Sequence, residues 1–222
     1  MSGSVTAVLF DVDGTICEYR RSADEILEVC FDTVGVDRCF GKREYVSRYA
    51  EFTDDAADIR EARRGCFAAL AEEAGHDAET GHAIADAFAE ERDHGNVDFL
   101  PGAERAIEVL GEQYPLGVVT NGDPWMQSQK LDGLGITDAF DRVVHAGYDA
   151  PAKPAPEPFH LALDGLGVNG GEAVHVGNSL LSDVPGAKAA GIEAAWLDDG
   201  SDPRDAPDYI LGSMHDLLEP PW

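Results

Sequence analysis

Short apolar runs that end in polar or small residues recur along the chain, at Val5–Phe10, Leu116–Thr120, Ala173–Gly177 and Glu193–Leu197, with a weaker one at Arg142–Ala146. Between the later runs the apolar positions fall at helical spacing, over roughly Gly102–Gln113, Pro124–Leu131, Pro156–Leu163 and Leu181–Ala190. Apolar runs of strand length alternating with amphipathic helices predict a βαβ series, hence a parallel sheet covered by helices on both faces. Asp208–Leu211 is a candidate final edge strand, and Asp198–Arg204 reads as an acidic loop. The pattern changes between about Glu18 and Asn96, where no convincing strand occurs. Arg21–Val34, Arg43–Phe52, Asp58–Glu73 and Ala78–Arg92 read there as amphipathic or Ala-rich helices. The predicted class is α/β: a parallel-sheet core made of residues 1–17 and 97–222, with a helical domain of residues 18–96 inserted after the first strand.

Two local patterns need separate reading. Leu131-Asp132-Gly133-Leu134-Gly135-Ile136 nearly repeats at Leu163-Asp164-Gly165-Leu166-Gly167-Val168. Both read as equivalent helix exits closed by glycine, not as tandem repeats. Gly165-Leu166-Gly167-Val168-Asn169-Gly170 matches GxGxxG letter for letter. A dinucleotide fingerprint follows a strand and opens a helix, whereas this one follows a predicted helix and precedes a predicted strand, so it reads as a loop.

Charge narrows the partners. Of 222 residues, 16 are Lys or Arg and 43 are Asp or Glu, a formal net charge of −27. Such a surface repels nucleic-acid phosphates and anionic membranes. No apolar stretch approaches the roughly 18 residues of a membrane span. Met1-Ser2-Gly3-Ser4 lacks a basic leader region and Val5–Phe10 is short for a signal peptide, so a cytoplasmic location is expected. The acids are dispersed along the chain and lysines are scarce (Lys42, Lys130, Lys153, Lys188), a composition that resembles proteins of extreme halophiles. At 1 M salt the Debye length falls to roughly 3 Å, which screens such self-repulsion. Cys17, Cys30, Cys39 and Cys66 form no CxxC pair and are expected to be free thiols in a reducing compartment.

Ligands of parallel α/β sheets bind beyond the carboxyl ends of the strands. After the first predicted strand comes Asp11-Val12-Asp13-Gly14-Thr15, and the second ends in Thr120-Asn121-Gly122. Lys153 lies in a proline-rich loop ahead of a helix, and Gly177-Asn178-Ser179 with Asp183 follows a further strand. Carboxylates, a hydroxyl and a lysine thus converge on one edge. That set suits phosphoryl transfer, in which catalysis is mostly positioning and charge neutralisation.

These residues, in this order, resemble the four motifs of the haloacid dehalogenase-like hydrolase superfamily. Asp183-Val184-Pro185-Gly186-Ala187-Lys188-Ala189-Ala190-Gly191 and Leu100-Pro101-Gly102-Ala103 are similar to its phosphoglycolate-phosphatase-like branch. The resemblance covers essentially the whole predicted core; the helical insert matches in position and length but by no motif. It implies a Rossmann-like core with an α-helical cap, and Mg²⁺-dependent hydrolysis of a small phosphomonoester (phosphoglycolate-like, or a sugar or nucleotide phosphate) through an aspartyl-phosphate. Asp11 is implied as the nucleophile. Asp13 is implied as general acid and base, with its backbone carbonyl a metal ligand. Gly14 lets the chain turn away from the sheet, with Thr15 beside it. Thr120, the Asn121 N–H and Gly122 are implied contacts of the phosphoryl oxygens, and Lys153 neutralises nucleophile and phosphoryl group. With so few lysines in the chain, the placement of Lys153 is not a surface accident. Mg²⁺ would take oxygens from Asp11, the Asp13 carbonyl and the Asn178/Asp183 loop.

Position 178 departs from the pattern. The branch usually has Asp there, as in GDSxxxD, and this chain has Asn178, which offers an oxygen without charge. Weaker Mg²⁺ binding, a catalytically weakened phospholigand-binding protein, or a different reaction would each account for it. The different reaction is 2-haloacid dehalogenation, which uses the same aspartate without metal and has no need of the second Asp of DxD. Asp13 therefore argues for a phosphatase.

The helical insert is expected to close over the strand ends and to select the substrate. Arg20, Arg21, Lys42, Arg43, Arg48 and Tyr49 are its candidate contacts, because an anionic substrate of so acidic a protein needs local positive charge. Most of them are expected to be solvated and paired with nearby acids. The expected partner is a small phosphorylated or otherwise anionic molecule, bound by a monomer or homodimer. The seven histidines show no metal spacing. His175 is expected to be packed or hydrogen-bonded in the core, and Trp125 to pack under the site loop or the cap.

Overall fold

The computed structural model describes residues 4–53, 56–203 and 206–222. Met1, Ser2 and Gly3, used above to judge a leader, and Arg204, the end of the expected acidic loop, lie outside the described residues. In chain order the elements are β1 (Ala7–Phe10), β2 (Cys17–Tyr19), α1 (Ala23–Val34), α2 (Lys42–Tyr49), α3 (Ile59–Glu73), α4 (Ala78–Glu91) and β3 (Val97–Phe99). They continue as α5 (Ala103–Gly111), β4 (Leu116–Asn121), α6 (Pro124–Leu134), β5 (Arg142–Ala146), α7 (Glu157–Leu166), β6 (Ala173–Gly177), α8 (Asp183–Ala189), β7 (Glu193–Leu197) and β8 (Tyr209–Leu211). The chain divides into two compact units, one of Met1–Tyr19 with His94–Trp222, the other of Arg20–Asp93.

The first unit is an α/β domain. Its six-stranded sheet runs β5-β4-β1-β6-β7-β8, and every pairing is parallel. Successive residues of β1 serve opposite faces: Val8 and Phe10 join one buried cluster with Val118, Val174 and Ala195, while Ala7 and Leu9 join another with Val119, Ala173 and Trp196. A strand buried on both faces carries no polar alternation, which is why these strands read as continuous apolar runs. From β1 the chain first builds outward through β4 and β5, then returns to lay β6 on the other side of β1. That reversal puts the end of β1 at the switch point between two outgoing strands, the place where this architecture leaves a crevice.

Helix exits are where the repeated hexapeptides belong. Gly135 and Gly167 close α6 and α7 at φ 71° and 70°, and each donates its N–H back into the last turn. The GxGxxG segment spans the end of α7 and a 3₁₀ turn before β6, so it is a loop as expected.

The division between the units falls after Tyr19 and before His94, not between residues 17 and 18 and between 96 and 97. The cause is a ribbon absent from the sequence reading: β2 and β3 pair antiparallel, Cys17 with Phe99 and Tyr19 with Val97. Strands of three residues are too short to show period-two alternation.

The second unit is helical. Ser22 caps α1 in a reciprocal box with Glu25, and Asp58 and Asp77 cap α3 and α4. Its core gathers Ile26, Leu27, Phe31, Phe40, Phe67, Ile84 and Phe88, with Phe40 and Phe67 meeting edge to face at 4.8 Å. All four cysteines are free. Among the described residues, no helix is long and apolar enough to cross a membrane.

Candidate active site

The chain leaves β1 by a tight turn. The Val12 carbonyl accepts from the N–H groups of Thr15, Ile16 and Cys17 at 3.3, 2.9 and 3.1 Å, turning the backbone back within a few residues. Gly14 sits in the left-handed region at φ 74°, and a Cβ there would lie 2.3 Å from the Asn178 amide nitrogen. Only glycine therefore satisfies both the turn and the packing of Asn178 against it.

Asp11, the first residue after β1, is buried at 7% exposure, and its N–H bonds the Val176 carbonyl of β6 at 2.9 Å. Lys153, equally buried, donates to Asp11 Oδ1, Asp183 Oδ1 and the Val119 carbonyl, each at 2.7 Å. Those three bonds use all three protons of the ammonium group. Asp183 is in turn held by His175 Nε2 at 3.1 Å and by the Ser179 N–H at 2.9 Å. Asn121, the last residue of β4, clips the backbone of Lys153: its amide nitrogen donates to the Lys153 carbonyl at 3.2 Å, and its Oδ1 accepts from the Lys153 N–H at 2.8 Å.

The electrostatics follow from two buried carboxylates sharing one ammonium. Burial raises the Asp11 carboxyl to about 6, Lys153 pulls against this, and the neighbouring Asp183 charge adds to it. For Asp183 burial acts the same way but is outweighed by the His175 hydrogen bond and by Lys153, which hold its carboxyl well below the usual range. Burial works against the Lys153 ammonium, yet Asp11 and Asp183 hold its pKa above the ordinary lysine value. His175 is kept neutral by burial. With Nε2–H donating to Asp183, its Nδ1 is the unprotonated nitrogen, and that buried atom has no partner among the described residues.

A second lysine serves the second aspartate. Lys130 Nζ lies 2.6 Å from both Asp13 carboxylate oxygens, and Gln127 Nε2 donates to Asp13 Oδ2 at 2.9 Å and to the Asn121 carbonyl at 3.1 Å. Both residues lie on α6, are almost completely buried, and were missed in the sequence. The available signal was Lys130 itself: the scarcity of lysine that singles out Lys153 applies to it with equal force.

Of the other expected site residues, Thr120 is buried at the end of β4, and Thr15 is fully buried with its hydroxyl unpartnered among the described residues. The Gly122 N–H is taken by the Ala146 carbonyl at 3.4 Å. The α/β unit thus brings Asp11, Asp13, Gly14, Asn121, Lys153, Asn178 and Asp183 together in one connected set of contacts. Arg20 and Arg21 fall in the helical unit, where Arg21 is ion-paired with Glu91 at 3.0 Å and Arg48 with Glu51 and Glu73 at 2.8 and 2.6 Å. Trp125 corrects its expectation: it is 63% exposed, its ring edge-on to His94 at 5.6 Å. Its place at the first turn of α6 turns it away from the sheet, whereas Gln127 and Lys130 turn inward.

Comparison with known proteins places this geometry in a family. Residues 5–191 match the model of the haloacid dehalogenase-like hydrolases. The chain is 35% identical over 160 residues to a phosphoserine phosphatase of Thermus thermophilus, an alignment covering 70% of this chain and 64% of that protein. The chain thus matches less than two thirds of that relative's length. It is 27% identical over 220 residues to a phosphoglycolate phosphatase of Pectobacterium atrosepticum, covering 97% and 92% of the two chains. Among solved structures it superposes on a 2-haloacid dehalogenase of Pseudomonas syringae with a TM-score of 0.70, at 26% identity and over 97% of each chain. That family model spans most of the chain, and the chain belongs to the haloacid dehalogenase-like hydrolases.

Proposed function

We propose that the protein is a Mg²⁺-dependent phosphatase of small phosphomonoesters. The observation that carries this reading is Asp13: a second carboxylate two residues beyond Asp11, its side chain 46% exposed, held by Lys130 and Gln127. Displacing halide from carbon needs no such acid, whereas expelling an alkoxide from phosphorus does. Asp11 forms the new O–P bond as the ester P–O bond breaks, and Asp13 gives a proton to the leaving oxygen. Asp13 then takes a proton from the water that attacks phosphorus, releasing phosphate and restoring Asp11. Lys153 offsets the charge gathered around Asp11, and Thr120 with the Asn121 N–H orients the phosphoryl oxygens.

The donor set fits a hard cation. Among the described residues, no three His, Cys, Asp or Glu side chains cluster to hold a metal by themselves. The Asp11 and Asp183 carboxylates, the Asp13 carbonyl and the Asn178 amide oxygen nonetheless supply oxygen ligands only, as Mg²⁺ requires. When bound, the ion neutralises charge on the transferring phosphoryl group. The dispersed net charge of −27 supports a saline setting. Asn178 favours a second reading, a metal-independent 2-haloacid dehalogenase or a phospholigand-binding protein.

Hydrolysis of 4-nitrophenyl phosphate in multimolar KCl, with and without Mg²⁺ and beside Asp11→Asn, separates these readings. Metal-dependent turnover that disappears in Asp11→Asn is expected. A folded protein that gives no turnover but releases halide from 2-haloacids overturns the phosphatase. Restoring the missing charge with Asn178→Asp is expected to tighten Mg²⁺ binding about tenfold, or ~1.4 kcal/mol, by calorimetry and to lower the Mg²⁺ needed for half-maximal activity. Unchanged Mg²⁺ affinity removes position 178 from the metal site.

A further inference from the structure

We infer that Lys130 and Gln127 are positioning residues, which hold the Asp13 carboxylate in place for proton transfer with the leaving oxygen. This rests on the phosphatase reading and adds to it two residues that no motif of the resemblance contains.

The placement is built by α6. Asp123 caps the helix by accepting from the Trp125 and Met126 N–H groups, and Pro124 occupies its first turn. The helix therefore starts immediately after the Thr120-Asn121-Gly122 loop. Gln127 and Lys130, three residues apart, share one face. That face is buried: the two side chains are 1% and 2% exposed. Lys130 passes beneath the Tyr19 ring, its Nζ 5.0 Å from the ring centroid, to reach both Asp13 oxygens. Gln127 ties the same carboxylate to the Asn121 carbonyl, linking the second aspartate to the loop that also clips Lys153.

Stability does not explain this arrangement. A buried ammonium pays heavily for lost hydration, and a buried ion pair is a weak stabilising device. Gln127 in addition leaves its buried Oε1 without a partner among the described residues, a cost that an apolar residue of similar size avoids. What the pair supplies is orientation. Asp13 sits in a turn next to Gly14, and Lys153, with its three protons committed elsewhere, cannot hold it. An acid–base group must be fixed within about half an ångström of its working position. Lys130 grips the carboxylate from the buried side, and the half-exposed carboxylate keeps its other side open to a ligand.

Leaving-group chemistry tests the role. 4-Nitrophenolate departs without a proton, whereas phenolate, of pKa about 10, gains from protonation. The parameter kcat/KM reports on steps up to formation of the aspartyl-phosphate and is therefore insensitive to the later attack of water. Lys130→Met is expected to lower kcat/KM for phenyl phosphate about tenfold more than for 4-nitrophenyl phosphate. Gln127→Leu should show the same selectivity to a smaller degree, and it stands in should Lys130→Met fail to fold. Lys130→Arg should recover part of the phenyl phosphate activity. Adding Lys130→Met to Asp13→Asn should cost nothing further on phenyl phosphate, since the residue acts only through Asp13. Equal losses on both esters, or full additivity in the double variant, overturn the positioning role while a selective Asp13→Asn leaves the phosphatase reading intact. Equal losses in Asp13→Asn itself overturn the proton-transfer role of Asp13 and the positioning role with it, whereas absence of turnover in the parent overturns the phosphatase reading.

Discussion

Asp11→Asn is expected to produce a protein that is inactive and, without Mg²⁺, harder to unfold than the parent at pH 8. The loss of activity is that of a nucleophile, about 10⁴-fold or more. The gain in stability has a separate origin. Burial lifts the Asp11 carboxyl from 3.8 to about 6 because it is removed from water and faces Asp183 across a single ammonium. A folded-state pKa above the unfolded one means that the group's stabilising contribution is complete below about 4 and is lost as pH rises through 6. Above that, the ionised Asp11 costs up to ~3 kcal/mol, taking 1.36 kcal/mol per pKa unit. Asparagine keeps an oxygen for Lys153 and removes the charge. Denaturant midpoints with EDTA in high KCl should favour Asp11→Asn at pH 8 and converge with the parent near pH 4. A variant less stable at pH 8, or a difference independent of pH, would show that Lys153 fully compensates both carboxylates. Strain of this kind, relieved by removing function, is common where a site must hold reactive charge.

Which parts of this site were legible in the sequence follows from how each residue enters it. Asp11 and Asn178 stand directly after apolar runs, and Thr120 and Gly177 close such runs, so the strands that place them also announce them. Lys153 was legible by its rarity and by resemblance, although the sequence did not show that its ammonium binds Asp11, Asp183 and Val119 at once. His175 had the expected core role, with Asp183 as its partner. Helix α6 was the opaque element. Hydrophobic spacing assigns apolar residues inward and polar ones outward, but here Gln127 and Lys130 are buried while Trp125 is 63% exposed. The rule fails where a helix turns polar side chains inward to pair with a carboxylate, as Gln127 and Lys130 do with Asp13. The β2–β3 ribbon was opaque for another reason: three residues per strand leave no period to read, and its existence depends on Cys17 meeting Phe99 far along the chain.

Lys153→Met should act on stability in the opposite direction to Asp11→Asn, although both remove one charge from the same cluster. Removing the ammonium strands Asp11 and Asp183, buried side by side, and leaves the Val119 carbonyl without its donor. Breaking a buried pair by deleting one partner typically costs ~3–5 kcal/mol, since the remaining charge is uncompensated. The penalty should be smaller at pH 5 than at pH 8, because Asp11 escapes it by taking up a proton and loses with Lys153 the influence that lowers its pKa. Combining Lys153→Met with Asp11→Asn should then recover part of the lost stability, the double variant being more stable than Lys153→Met alone at pH 8. Unfolding midpoints of the parent, both single variants and the double variant complete the cycle. A coupling near zero would mean that the carboxylates are neutralised by something other than Lys153. A coupling above ~1 kcal/mol with this sign identifies the three-way contact of Lys153, Asp11 and Asp183 as one electrostatic unit. Activity should be lost in every member of the cycle except the parent, so the same four proteins separate what the cluster does for folding from what it does for catalysis.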